Sequence, residues 1–187
     1  MMRKKQFFID FDGTIVNSIK AFCDTYNLIY REHENFIPAD WEKVNVYNMK
    51  DQCSLIKDVN EIFTNPYFFW TLQFINENTY TVLKKLNKKY NVIICSIGVA
   101  KNIAFKANWL ERKLPFIKEY ILISNNGCKM NKSIINMKNS IFGDDIISNL
   151  KSSNAKEKFL FGQIYPWNEG WQGEHCLTWT NIEEKYL

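Results

Sequence analysis

Histidine is nearly absent from the chain, with only His33 and His175, and the five cysteines (Cys23, Cys53, Cys95, Cys128 and Cys176) include no C-x-x-C pair. A zinc cluster has no support in that set, and an odd number of widely spaced thiols argues against a disulfide framework. A reducing cytoplasm is the compartment that fits. Long apolar runs are missing too: nothing approaches the ~18 residues of a membrane span, and the apolar stretch between the basic Met1 to Lys5 segment and Asp10 is too short for a signal-peptide core. Glycine and proline are scarce, 7 and 4 of 187 residues, which excludes a low-complexity chain. Charge of one sign hardly dominates, 24 Lys+Arg against 20 Asp+Glu, and the lysines are scattered. Such a balance speaks against a polynucleotide groove and suits a small anionic substrate. What remains is 46% hydrophobic and 16% aromatic, enough for one sizeable core or a core with a small cap.

The chain is organised around Phe7-Phe8-Ile9-Asp10-Phe11-Asp12-Gly13-Thr14. An apolar run reads as a buried strand, stops at two carboxylates, and meets a glycine that lets the backbone turn. Residues i and i+2 of an extended chain point the same way, so Asp10 and Asp12 can face one reacting group while Phe11 packs behind them. Ligands of open α/β sheets sit beyond the carboxyl ends of the strands, where these acids fall.

Downstream, residues 18–30 carry Ile19, Phe22, Cys23 and Tyr26 at helical spacing. Residues from about 31 to 78 lack a strong strand and hold Pro38, Trp41, Tyr47, Pro66 and the cluster Tyr67-Phe68-Phe69-Trp70, so residues 18–78 read as a small helical cap inserted after the first strand. The core is then 1–17 with 79–187. Residues 79–89 read as a helix with a solvated lysine face (Lys84, Lys85, Lys88, Lys89), and Asn91 to Ser96 as a second buried strand ending on a hydroxyl. Residues 101–113 form a helix with Ile103, Ala104, Ala107 and Leu110 inward, and Tyr120 to Ile123 a third strand. Residues 140–143 run as a fourth strand into Asp144-Asp145, and residues 158–162 make a fifth. Thr180-Asn181-Ile182-Glu183 reads as a capping box for a short terminal helix. The fold class is α/β, a Rossmann-like sheet with a helical cap.

Removing a phosphoryl group from an ester needs a nucleophile, a proton for the departing oxygen and positive charge on the phosphoryl oxygens. Asp10 can attack phosphorus and carry it as an aspartyl-phosphate; Asp12 can protonate the leaving oxygen and later take a proton from water. Oxygen-only ligands favour Mg²⁺, with carboxylates from Asp10 and Asp144. Ser96 can donate to a phosphoryl oxygen, and a lysine from the loop before Asp144 can offset its charge.

These positions resemble the four motifs of the haloacid dehalogenase (HAD) superfamily of phosphohydrolases. Asp10-Phe-Asp12-Gly-Thr is similar to motif I, Ser96 to the motif II hydroxyl, Lys132 to the motif III lysine, and Gly143-Asp144-Asp145 to the acidic motif IV. The resemblance implies a parallel sheet of order 3-2-1-4-5, a nucleophilic Asp10, an acid/base Asp12 whose backbone carbonyl also binds Mg²⁺, and Asp145 behind the metal ligands. A narrower likeness, to the 5'(3')-deoxyribonucleotidases, spans nearly the whole chain. Pro66-Tyr67-Phe68-Phe69 is similar to that family's Pro-x-Phe-Phe segment, Ile94-Cys95-Ser96-Ile97-Gly98 to Ile-Cys-Thr-Ser-Pro, and Asn131-Lys132-Ser133-Ile134-Ile135 to Asp-Lys-Thr-Val-Val. The flanking pattern favours Lys132 over Lys129. Ile97-Gly98 in place of Ser-Pro removes a second hydroxyl near the phosphate. The likeness implies a nucleotide substrate, with Phe68, Phe69 and Trp70 stacking its base. The scattered charge and the lack of a long apolar run lead us to expect no polynucleotide or membrane partner, and the oligomeric state stays open, a homodimer included. The rival readings are a phosphatase for another small ester such as a sugar phosphate, a non-catalytic protein that keeps the fold for binding, and an enzyme processing polynucleotide ends.

Overall fold

A computed structural model of the chain describes residues 4–126, 128 and 130–187. The first strand, β1 (Gln6–Asp10), leads through a tight turn into α1 (Ser18–Tyr30), capped by the Asn17 side chain, which accepts from the Lys20 N–H at 3.0 Å. Two 3₁₀ turns, Trp41–Lys43 and Met49–Asp51, precede the short helices α2 (Asn60–Phe63) and α3 (Pro66–Thr71). Then come α4 (Thr79–Lys89), β2 (Asn91–Gly98), α5 (Ala100–Lys113), β3 (Glu119–Ser124), a 3₁₀ turn at Lys132–Ile134, β4 (Ile141–Asp144), α6 (Ile147–Ser152), β5 (Glu157–Phe161), β6 (Glu174–Cys176) and α7 (Trp179–Tyr186).

The strands form one parallel sheet in the order β3-β2-β1-β4-β5-β6, the expected order with a sixth strand at the edge. That strand is only Glu-His-Cys, with no apolar run to mark it. β2 also runs two residues past Ser96, with Gly98 paired to Ser124. Strands buried on both faces must be apolar along their middles, and these are: Phe7 and Ile9 join the larger cluster with Val92, Ile94, Phe159 and Phe161, while Phe8 joins Ile93, Phe142 and Leu160 on the other face.

Helical spacing predicts α1 well, with Phe22, Cys23 and Tyr26 buried, and the four lysines of α4 are exposed. The inward face of α5 differs from expectation. Asn102, Lys106, Trp109 and Leu110 are buried, Ala104 is exposed, and the helix is turned so that Trp109 meets Phe11 edge-on at 5.3 Å. The capping box of α7 also lies two residues earlier than expected, on Thr178 and Asn181, because Trp179 is drawn into the core, where its Nε1–H donates to the Thr14 carbonyl at 2.9 Å.

The inserted segment leaves and returns beside the first turn. Val16 and Phe74 form an antiparallel bridge, the Asn17 N–H donates to the Gln73 carbonyl at 3.0 Å, and the Ile75 N–H to the Ile15 carbonyl at 2.9 Å. Its helices pack through a chain of rings, Phe22 to Phe63 to Phe68 to Phe69, which ends on Phe105 of α5.

Gly143 lies under a ring: a Cβ there would stand 2.1 Å from Phe159 Cζ. Phe159 is held between Phe7, at 6.0 Å, and Tyr186, at 5.5 Å, and has little room to yield. Gly143→Ala should therefore cost ~1–3 kcal/mol and lower the melting temperature by roughly 5 °C. An unchanged melting temperature would mean that the ring moves aside freely.

Candidate active site

Strand register assembles the site. Asp10 pairs with Cys95 across β1 and β2, so Ser96 stands one residue beyond; Ile9 pairs with Gly143 across β1 and β4, so Asp144 comes level with Asp10. Past Asp10 the chain turns sharply. Gly13 has φ +67°, and a Cβ on it would stand 2.4 Å from Asp145 Oδ2, so this turn needs glycine on both counts. The turn leaves Asp12 between β1 and β2, its Oδ2 3.4 Å from Ser96 Oγ.

Lys132 enters from the 3₁₀ turn, where the Asn131 side chain caps Ser133 at 2.9 Å. It is buried, and its ammonium donates to Asp10 Oδ1 and, at 2.5 Å, to Asp144 Oδ2. Asp144 is held further by the Ile146 N–H at 2.8 Å and by Asn149 Nδ2, 3.1 Å from each carboxylate oxygen. Of the two lysines weighed for this role, Lys129 lies outside the described residues, as does Gly127 of the preceding loop.

One oxygen each from Asp10, Asp144 and Asp145 lies within 4.8 Å of the other two. Asp145, expected behind the ligands, thus offers an oxygen to the same cluster. The donors are all hard oxygens, and an octahedral Mg²⁺ with bonds of about 2.0–2.1 Å sets its ligand oxygens roughly 3–4 Å apart. Asp145 Oδ1 is buried without a hydrogen-bond partner on the protein. These residues fit a divalent cation.

Crowding of carboxylates shows in their proton affinities. Burial, first, and then the charges of Asp144 and Asp12 push Asp10 up to about 7 against the pull of Lys132. Asp145 is raised well above the carboxylate range by burial and by Asp10 and Asp144. For Lys132, burial disfavours the charge, but Asp10 and Asp144 outweigh it and hold its pKa well above the ordinary value. An acid whose folded pKa exceeds its unfolded one contributes stability at low pH that is lost as pH rises; for Asp10 the loss runs from 3.8 to about 7. A cation competing with those protons binds better above that window. Magnesium chloride should therefore raise the melting temperature relative to EDTA, and more at pH 8 than at pH 5.5. An equal shift at both values would contradict carboxylate ligation.

One further residue stands in the site. Lys106 of α5 is 2% exposed, and its ammonium donates to Asp12 Oδ2, to Ser96 Oγ at 2.9 Å and to the Ile97 carbonyl at 3.4 Å. On a helix whose other two lysines, Lys101 and Lys113, are exposed it is inconspicuous; its spacing from Asn102, Trp109 and Leu110 is the signal that puts it on the buried face.

A family model described as "5' nucleotidase, deoxy (Pyrimidine), cytosolic type C protein" matches residues 4–186. The chain belongs to this nucleotidase family. Over 161 residues it is 29% identical to a 5'(3')-deoxyribonucleotidase of Clostridium acetobutylicum, covering 86% of this chain and 83% of that protein. Its fold is that of the HAD hydrolases. A haloacid dehalogenase-like hydrolase of Streptococcus pneumoniae superposes with a TM-score of 0.70 at 13% identity, covering 100% of both chains. A predicted phosphatase of C. acetobutylicum gives 0.71 at 11%, covering 98% of each. A HAD-hydrolase of Bacillus subtilis, solved with magnesium bound, gives 0.64 at 11%, covering 98% of each.

The aromatic residues expected to stack a base differ in exposure in this nucleotidase-family chain. Phe68 is 0% exposed and Phe69 stacks on Phe105 at 5.0 Å, so both rings are occupied by the packing of the insertion. Trp70 is 76% exposed and borders an outer groove with Lys101 and Arg112. The rings tied to the acidic cluster are others. Tyr165 and Trp167 stack at 4.1 Å and 8°, on a turn whose Asn168 side chain donates to the Asp145 carbonyl at 3.4 Å. Tyr47 of the insertion meets Trp167 at 6.2 Å. Its phenol is raised by desolvation and then by Asp145, Asp144 and Asp10. Short turns carry these rings, and no periodicity marks them.

Proposed function

We propose that the chain is a Mg²⁺-dependent phosphomonoesterase that hydrolyses nucleoside monophosphates, deoxyribonucleotides foremost, through an aspartyl-phosphate on Asp10. The observation that carries this reading is the meeting of Asp10, Asp12, Ser96, Lys132, Asp144 and Asp145 at one sheet edge, in a chain of the nucleotidase family. Asp10 forms a bond to phosphorus as the ester P–O bond breaks, and Asp12 gives its proton to the departing oxygen. Water then attacks phosphorus, returns a proton to Asp12, and frees Asp10 and inorganic phosphate. Ser96 donates a hydrogen bond to a phosphoryl oxygen. Lys132 has three N–H donors and spends two on Asp10 and Asp144, which leaves one for the phosphate. A divalent cation held by Asp10, the Asp12 carbonyl and Asp144, with Asp145 beside them, would supply charge for the phosphoryl oxygens.

Residues 18–78 serve as the cap, excluding bulk water from the phosphoryl group and setting Tyr47 opposite Trp167 for the leaving nucleoside. The test is phosphate release across 5'- and 3'-deoxyribonucleotides, ribonucleotides, sugar phosphates and an aryl phosphate. Preference for deoxyribonucleotides, lost in EDTA, is the expected result. Preference for sugar phosphates would replace the substrate class, and inertness toward every ester would leave a non-catalytic HAD-fold protein.

A further inference from the structure

Buried lysines are expensive unless their donors are satisfied, and Lys106 meets that condition in full. An ammonium has three N–H donors, and Lys106 has three acceptors: Asp12 Oδ2, Ser96 Oγ and the Ile97 carbonyl. Its charge also lies 5.5 Å from the centre of the Phe11 ring, a contact that closes its remaining side. Lys132 differs, since its two carboxylate partners leave a donor for substrate. Lys106 has none to spare.

We propose that Lys106 is a positioning residue that sets the orientation of both the acid/base carboxylate and the phosphate-binding hydroxyl. This rests on the phosphatase reading above. Lys106 assigns different tasks to the two Asp12 oxygens: Oδ2 is clamped, while Oδ1 makes no hydrogen bond with the protein and is left for the leaving oxygen or the water. It likewise fixes Ser96. A hydroxyl that accepts from an ammonium must send its own hydrogen elsewhere, and the alternative acceptor on hand, Asp12 Oδ2, stands at a long 3.4 Å. The hydrogen is therefore free for a phosphoryl oxygen. At a site where Ile97-Gly98 supplies no second hydroxyl, holding the one that remains matters more. Strand β2 and helix α5 thus act through one buried ammonium, ten residues after the serine it holds.

Stability alone accounts poorly for such a lysine, because buried ion pairs rarely stabilise a fold more than well-packed apolar groups do. The test compares Lys106→Met, of similar length, with Lys106→Arg, which keeps the charge but splays its donors in a planar fork. Each is assayed for kcat and KM on the best substrate with Mg²⁺, and for binding of inorganic phosphate by calorimetry. A misdirected acid and hydroxyl should lower kcat by ~10–100-fold in Lys106→Met and at least ~10-fold in Lys106→Arg. KM and phosphate affinity should change by no more than about threefold, less than kcat, because Lys132 still holds the phosphate and Ser96 is loosened but not removed. If Lys106→Met fails to fold, Lys106→Arg decides. Folded variants with kcat within about twofold of the parent would overturn the proposal, as would phosphate affinity falling by the same factor as kcat, which would make Lys106 a direct ligand. A parent inert toward all esters would overturn the phosphatase reading and this proposal together; an active parent with indifferent Lys106 variants overturns this one alone.

Discussion

Asp10→Asn lowers turnover by about 10³ or more while the protein stays folded. The amide is close in size and still accepts from Lys132, but its neutral oxygen is a poor nucleophile toward phosphorus and a weak ligand for a divalent cation. Folding tolerates the change for an electrostatic reason. Burial and the neighbouring acids already push Asp10 up to about 7, so without a cation beside it the ionised carboxylate is the costly form, and a neutral side chain relieves Asp145 and Asp144 of a like charge. The check is kcat together with thermal melting at pH 8. Near-parent turnover in a folded variant would remove Asp10 from its role as nucleophile.

Lys132→Met is the second large effect, and it strikes stability and activity together. The ammonium is the counter-charge buried against Asp10 and Asp144, and removing it strands two buried carboxylates without their partner. Breaking a buried pair in this way costs ~3–5 kcal/mol, or about 10 °C in melting temperature for a chain of this size. The sign of its pH dependence follows from the carboxylates. Asp10 and Asp145 bind protons readily, so the deficit should be greatest near pH 8 and shrink toward pH 5.5, where protonation takes over the work of the lysine. Turnover should fall ~10²–10³-fold, as expected when a preorganised donor to the phosphoryl oxygens is lost. A deficit independent of pH would show that Lys132 supports the fold by packing instead.

What could be read from the sequence follows the physics of a parallel sheet. Strands covered on both faces admit little but apolar side chains, so Asp10, Ser96 and Asp144 stand out where those runs end. Sheet order, the fourth-strand acids and the lysine before them all follow from that contrast together with the resemblance to HAD phosphohydrolases. Helices hide more. A lysine on an amphipathic helix is ordinarily at the surface, and only its spacing from Asn102, Trp109 and Leu110 marks Lys106 as inward, on the face where Trp109 meets Phe11. The aromatic run Phe68-Phe69-Trp70 divides between core and surface. Adjacent rings on a helix diverge, so two went to the packing of the insertion and one to solvent, while the rings beside the acids came from separate turns at Tyr47, Tyr165 and Trp167. β6 carries no sequence signal because an edge strand of three residues needs no apolar alternation.

The covalent role of Asp10 is tested most directly by rapid acid quench of the enzyme with a phosphorus-labelled deoxyribonucleoside monophosphate and Mg²⁺. The account predicts label on the protein within the first turnover, released by hydroxylamine as an acyl phosphate is, and absent from Asp10→Asn. Normal release of phosphate with no label on the protein at any time would contradict it, and would assign the attack on phosphorus to water instead.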